Sequence, residues 1–118
     1  IWAGPGRALI IGAALPATLL AELRPLAAVT DQSGAQAMLG LTGAASEAVL
    51  ARMVAVDLRP AAFAIGQVAL CDIGHMPGMV LRTCTQSYEL MVMRSMAATL
   101  LHEVCDAAKR VAASADGG

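Results

Sequence analysis

Every apolar stretch of this sequence is cut short. The longest uncharged runs lie between Arg7 and Glu22 and between Asp31 and Glu47, and both carry Gly, Pro, Thr, Ser or Gln inside them. A bilayer-spanning helix needs about 18 or more consecutive apolar residues, so the chain reads as a packed domain and not as a membrane span. Arg7 to Ala21 imitates the apolar heart of a signal peptide, but it follows Trp2 and Pro5, and Pro16 stands where a helix would begin. The length of 118 residues admits one domain. Hydrophobic residues make up 58% of it and charged residues 14%, against ~25% charged in an ordinary soluble domain. That balance excludes a disordered chain. So little polar surface covers a solitary domain poorly, and excess apolar area of this kind marks a subunit contact.

The same residues exclude several functions. Cys71, Cys84 and Cys105 form an odd set without C-x-x-C spacing, which argues against a disulfide framework and a zinc site and for buried thiols in a reducing cytoplasm. The net charge is −1 and the arginines are scattered, so nucleic acid has no electrostatic footprint. Trp2, Phe63 and Tyr88 are the only aromatics, which leaves no stacking surface for bases or a flavin.

Changes of hydrophobic period divide the chain into elements. Ala8 to Gly12, after the Gly4-Pro5-Gly6 turn, suits a buried strand. Pro16 to Arg24 is a helix opened and closed by prolines. Ala27 to Thr30 is a strand ending at the turn Asp31-Gln32-Ser33-Gly34. Gln36 to Thr42 alternates, with Ala37, Leu39 and Leu41 inward. Ala45 to Val54 is helical, and Asp57-Leu58-Arg59-Pro60 breaks it. Strands follow over Gln67 to Ile73, Met79 to Thr85 and Tyr88 to Met93, separated by Gly74-His75-Met76-Pro77-Gly78 and a tight turn near Gln86 and Ser87. Ser95 can cap a last helix reaching Ala112, and residues 113–118 are expected to fray as a flexible tail. The fold class is α+β: a ferredoxin-like split βαβ arrangement with an added β-hairpin and a C-terminal helix, around an antiparallel sheet. Residues 1–112 form its single domain.

No catalytic, cofactor-binding or metal-binding set emerges. His75 and His102 are the only histidines, far apart and without a thiol or carboxylate at ligand spacing beside both. His102, next to Glu103 on the last helix, reads as a surface or C-terminal-dipole histidine, and His75, in a loop, is the better candidate for a contact. Ser46, Ser87 and Ser95 lack a G-x-S-x-G context, and neither a P-loop nor G-x-G-x-x-G occurs. Methionines gather at Met76, Met79, Met91, Met93 and Met96. In the last strand Tyr88, Leu90 and Val92 take one face while Met91 and Met93 take the other, so both faces are apolar. Thioethers adapt to another surface, and the candidate partner interface is therefore His75, Met76, Met79, Met91 and Met93.

Several segments resemble a known family in order. They are Trp2-Ala3-Gly4-Pro5, the strand ending Ile10-Ile11, Thr30-Asp31-Gln32-Ser33 and Leu41-Thr42-Gly43 with the helix to Leu50. Asp57-Leu58-Arg59-Pro60-Ala61-Ala62-Phe63 with Gly66 then fits D-L-x-P-x-x-F-x-x-G, and Glu89-Leu90-Met91-Val92 with Arg94-Ser95 follows. Together they resemble the gamma subunit of heterotetrameric sarcosine oxidase over nearly the whole chain. The sequence departs from the family at Gly6-Arg7-Ala8, where Asp-Glu and an aromatic are usual. It opens on Ile1 at what resembles the middle of a full gamma subunit, so the resemblance implies a leading segment.

The resemblance implies a non-catalytic small subunit in a bacterial cytoplasmic complex that oxidatively demethylates sarcosine to glycine. Such complexes form hydrogen peroxide and, with tetrahydrofolate, methylenetetrahydrofolate. Their larger alpha, beta and delta subunits carry FAD, FMN, NAD and tetrahydrofolate, and the gamma chain carries none. The fold is expected to be similar to a domain of folate-binding aminomethyltransferases. Their K-G-C-x-x-G-Q-E motif is absent here, and its one echo, Thr83-Cys84-Thr85-Gln86, lacks the lysine and glycines, so folate binding does not transfer. The alternatives are a similar subunit of an N-methyl amino acid dehydrogenase and a free-standing small-ligand or folate-binding module. A third is a domain that self-associates through its Met-rich face.

Overall fold

In a computed structural model of the chain, the structure describes residues 2–4, 7–8, 18, 21–22, 25 and 34–117. The chain divides into two units, Ile1–Ser33 and Gly34–Gly118. In the first, β1 (Trp2–Gly4) and β2 (Arg7–Ala8) pair antiparallel on either side of the expected turn, with Trp2 opposite Ala8. Thr18, Ala21 and Glu22 are helical, within the expected helix. The remainder of that helix, the rest of the strand from Ala8 to Gly12 and the strand from Ala27 to Thr30 lie outside the described residues.

The second unit is a four-stranded antiparallel sheet with helices on one face. Its strands are β3 (Gln36–Thr42), β4 (Val68–Ile73), β5 (Met76–Cys84) and β6 (Ser87–Met93), in spatial order β3-β6-β5-β4. The hairpin expected as an addition thus forms the centre of the sheet. Helix α1 (Ser46–Ala51) follows β3, and α2 (Ala97–Gly117) follows β6. The α+β class, the antiparallel sheet and the C-terminal helix agree with the reading of the sequence. No helix among the described residues is long and apolar enough to cross a membrane.

Alternation decides which side chains meet the helices. Val80, Leu90, Val92, Ile73 and Met76 face inward and pack with Val49, Leu50, Leu100, Val104 and Ala107 in one core, beside partly buried Leu39 and Leu41. Burying one such aliphatic side chain fully is worth ~1.5–3 kcal/mol. Gly78 lies in this layer because nothing larger fits: a Cβ there would stand 2.5 Å from the Met91 carbonyl oxygen and 2.9 Å from Ile73 Cδ1.

Three boundaries differ from the sequence reading. The loop expected over Gly74 to Gly78 is only the two-residue turn Gly74-His75, closed by Ile73 opposite Met76. Glycine with positive φ (63°) at the first central position suits a type II′ turn. Pro77 is tolerated because its nitrogen, one residue beyond the closing pair, faces away from β4, and on the other side the ladder with β6 begins only at Gly78 opposite Val92. Ser95 does not cap α2. The ladder runs directly into a 3₁₀ turn (Arg94–Met96), with Arg94 N–H donating to the Ala35 carbonyl, and no side chain caps the turn. The last helix continues to Gly117, through the segment expected to fray, because an alanine-rich run without proline offers nothing to stop it.

Candidate functional site

On the sheet face opposite α1 and α2, the register assembles an apolar row. Met38 of β3 lies opposite Met91 of β6, Met91 opposite Met79 of β5, and Met79 opposite Leu70 of β4. At the usual strand spacing the row crosses about 14 Å of sheet. The next row holds Gly40, Glu89, Leu81 and Val68. Met38 and Leu70 are each 44% exposed and Met93 is 54% exposed, whereas Met91, in the middle of the row, is 5% exposed.

The structure therefore brings together three of the five residues read from the sequence as a partner interface, Met79, Met91 and Met93. His75 is exposed in the β4–β5 turn at one end of the sheet. Met76 is buried and belongs to the inner core, because the two-residue turn puts it one step out of phase with Met79. Met38 and Leu70 were missed; alternation in β3 and β4 marks both as outward, but only the register shows that they meet Met91 and Met79.

A second arrangement, also missed, lies inside the hairpin. Arg82 is 2% exposed. Its Nη1 donates to the carbonyls of Leu58 (3.0 Å) and Phe63 (2.8 Å), Nη2 to that of Thr85 (2.6 Å) and Nε to that of Cys84 (3.4 Å). The guanidinium carbon sits 5.3 Å from the Tyr88 ring centroid, a cation–π distance. One extra residue in β5 between Arg82 and Cys84, opposite Ser87, makes a bulge that turns the strand end toward this loop. The main chain joins in: Gly66 N–H donates to the Arg82 carbonyl (2.7 Å) and Arg82 N–H to that of Gln67 (3.2 Å). Gly66 has φ of 89°, which a side chain would strain. The segment 57–66 is thus fastened to the sheet through Arg82, with Leu58 and Phe63 as its buried anchors. At its start, Arg59 N–H and guanidinium both reach the Asp57 carboxylate, the closest contact 2.7 Å. These bonds hold the Asp57 pKa down at about 2.

Among the described residues no group of three His, Cys, Asp or Glu gathers as a metal site would require. Burial raises the Cys71 thiol pKa and Asp72 adds to the effect, so the thiol stays protonated and a poor nucleophile. Cys84 and Cys105 are exposed, contrary to the buried thiols expected: one follows the bulge and the other lies on a solvent-facing part of α2. His102 is exposed on α2, as expected. Burial raises the pKa of Tyr88, whose hydroxyl has no hydrogen-bond partner among the described residues. Ser46 Oγ and Gly43 N–H both donate to the Gln86 carbonyl, which ties the start of α1 to the β5–β6 turn.

Comparison with known proteins gives this architecture a family. The sarcosine oxidase subunit gamma of Corynebacterium sp. (strain P-1) is 32% identical over 111 residues, covering 91% of this chain and 55% of that protein. The chain thus spans about half the length of that relative. The solved structure of the heterotetrameric sarcosine oxidase from Corynebacterium sp. U-96, in complex with pyrrole 2-carboxylate, contains a chain similar in fold, with a TM-score of 0.67 and 26% identity. That likeness covers 69% of this chain and 42% of the other. Residues 5–110, which include the fastened segment 57–66 and the whole sheet, match the sarcosine oxidase, gamma subunit family, and the chain belongs to it.

Proposed function

We propose that this chain works as the gamma-type subunit of a heterotetrameric sarcosine oxidase. In this reading it supplies no catalytic group. It docks through the outer sheet face on a larger subunit of a cytoplasmic complex that demethylates sarcosine to glycine. Partners of alpha, beta and delta type carry the FAD, FMN, NAD and tetrahydrofolate of the chemistry. Family membership supports the role, and the row Met38–Met91–Met79–Leu70 is the observation that carries the docking surface. An apolar sheet face needs cover, and methionines conform to another subunit. His75, at the end of the hairpin, sits where it can touch the rim of such a contact.

Co-expression with the larger subunits tests the reading. The chain is expected to elute with them at the mass of a one-to-one assembly that carries flavin absorbance, and to show neither flavin nor sarcosine turnover when purified alone. Met38→Glu with Met93→Glu places two carboxylates on exposed positions of the face. Burying an unpaired charge costs about 3 kcal/mol or more, so affinity should fall over a hundredfold while circular dichroism of the variant stays that of the parent. Undiminished assembly of the double variant moves the interface elsewhere. Failure of the parent chain to join the larger subunits refutes the role itself.

A further inference from the structure

Beside the Arg82 clamp lies a shallow depression of about 350 Å³, lined by Pro60, Phe63, Ala64, Ile65, Arg82 and Thr85. Three observations there point the same way. Arg82 is 2% exposed, yet it forms no ion pair with a carboxylate among the described residues; its acceptors are all carbonyl oxygens. Those carbonyls solvate the cation but leave its unit charge uncancelled, and a buried charge ordinarily has a counter-charge. A guanidinium has five N–H donors. Two at Nη1, one at Nη2 and the one at Nε are engaged, so one N–H of Nη2 has no acceptor among the described residues. The remaining lining is apolar, and Ile65 at its edge is 60% exposed, among the most exposed large hydrophobic residues of the chain.

We propose that this depression binds a carboxylate carried on a small branched apolar body. The carboxylate rests against Arg82, and the body lies between Pro60, Phe63 and Ile65. A singly charged planar anion suits one free N–H on a buried guanidinium. A phosphate dianion would leave most of its oxygens against apolar side chains, a costly arrangement. The volume lies at the small end of ligand sites, which suits a group of this size rather than a nucleotide. The carboxylate can belong to a free small acid or to the end of a partner segment. The site is distinct from the outer face and does not depend on docking there.

The test is titration of the isotopically labelled 118-residue chain with 4-methylpentanoate and, separately, with 4-methylpentanamide at constant ionic strength, followed by NMR. The acid is expected to give saturable shifts at Phe63 to Gly66 and Thr85 and at the Arg82 side chain. The amide should bind roughly tenfold more weakly or worse. Equal shifts from both, or saturation by neither, overturn the proposal. Ile65→Asp sets a competing carboxylate at an exposed edge position and should abolish acid binding with unchanged circular dichroism; retained binding also overturns it. A short peptide ending in a leucine carboxylate, compared with its C-terminal amide, separates the sources. Tighter binding of the peptide acid than of 4-methylpentanoate identifies a partner's chain end, and equal or weaker binding identifies a free small acid.

Discussion

Replacing Arg82 by methionine keeps the apolar stem and removes the head that holds segment 57–66 to the sheet. The Leu58 and Phe63 carbonyls, whose bonds to Nη1 are buried, lose their acceptor role there, and the partly buried Cys84 and Thr85 carbonyls lose one donor each. Each buried carbonyl left unsatisfied costs about 1–3 kcal/mol, and the lost stacking on Tyr88 adds about 0.5–2 kcal/mol. Relief of the buried cation's desolvation offsets part of this. The net loss is about 3–5 kcal/mol, a large share of the 5–15 kcal/mol that typically holds a domain folded. At about 4 °C per kcal/mol the melting temperature should fall by roughly 12–20 °C. Urea denaturation followed by circular dichroism measures the loss, with Arg110→Met as an exposed control expected within about 0.5 kcal/mol. Arg82→Lys, with one ammonium in place of the fork, should fall between the two. A loss under about 1 kcal/mol for Arg82→Met would refute the claim that this side chain fastens the loop.

Two further expectations come from other parts of the fold. Gly78→Ala should destabilise by about 1–3 kcal/mol, because its Cβ collides with the Met91 carbonyl oxygen, whereas Gly40→Ala, with nothing within 4 Å, should be neutral or slightly stabilising; equal denaturation midpoints would contradict this packing. The Asp57 carboxyl is held below its ordinary 3.8, at about 2, so the Asp57–Arg59 contact contributes fully above 3.8 and fades as pH falls through about 2. Asp57→Asn should flatten the stability curve over that acid window, and an unchanged slope would show that the exposed pair contributes nothing.

How far the sequence could be read depended on whether local pattern or long-range register decided the outcome. β4 and β6 follow from period and breakers, α1 follows in place but ends at Ala51, three residues short of the expected Val54, and the alternation of Ala37, Leu39 and Leu41 placed β3 correctly. Pro77 and Gly78 resembled a loop because each is poor in a strand; only their places beside the turn and against Val92 make them tolerable. In the sequence Arg82 stood only among the scattered arginines. Its parity with Val80 and Met76 did mark it as inward, and that signal could have been used. The carbonyls that hold it come from residues up to 24 positions away, which no local pattern reveals. The methionine face was legible in β6 and half of β5. Its completion by Met38 and Leu70 required the strand order β3-β6-β5-β4, which places sequence-distant strands side by side.

Methionine oxidation in the free chain and in the co-expressed assembly tests the central claim most directly, because the seven methionines report on both faces of the sheet. Brief peroxide treatment with peptide mass spectrometry gives a rate for each sulfur. Exposed Met38 and Met93 should oxidise quickly in the free chain, and Met53 and Met76, both buried in the inner core, slowly. In the assembly Met38 and Met93 are predicted to slow to the rate of Met76. Unchanged fast oxidation of both in an intact assembly would contradict docking through this face.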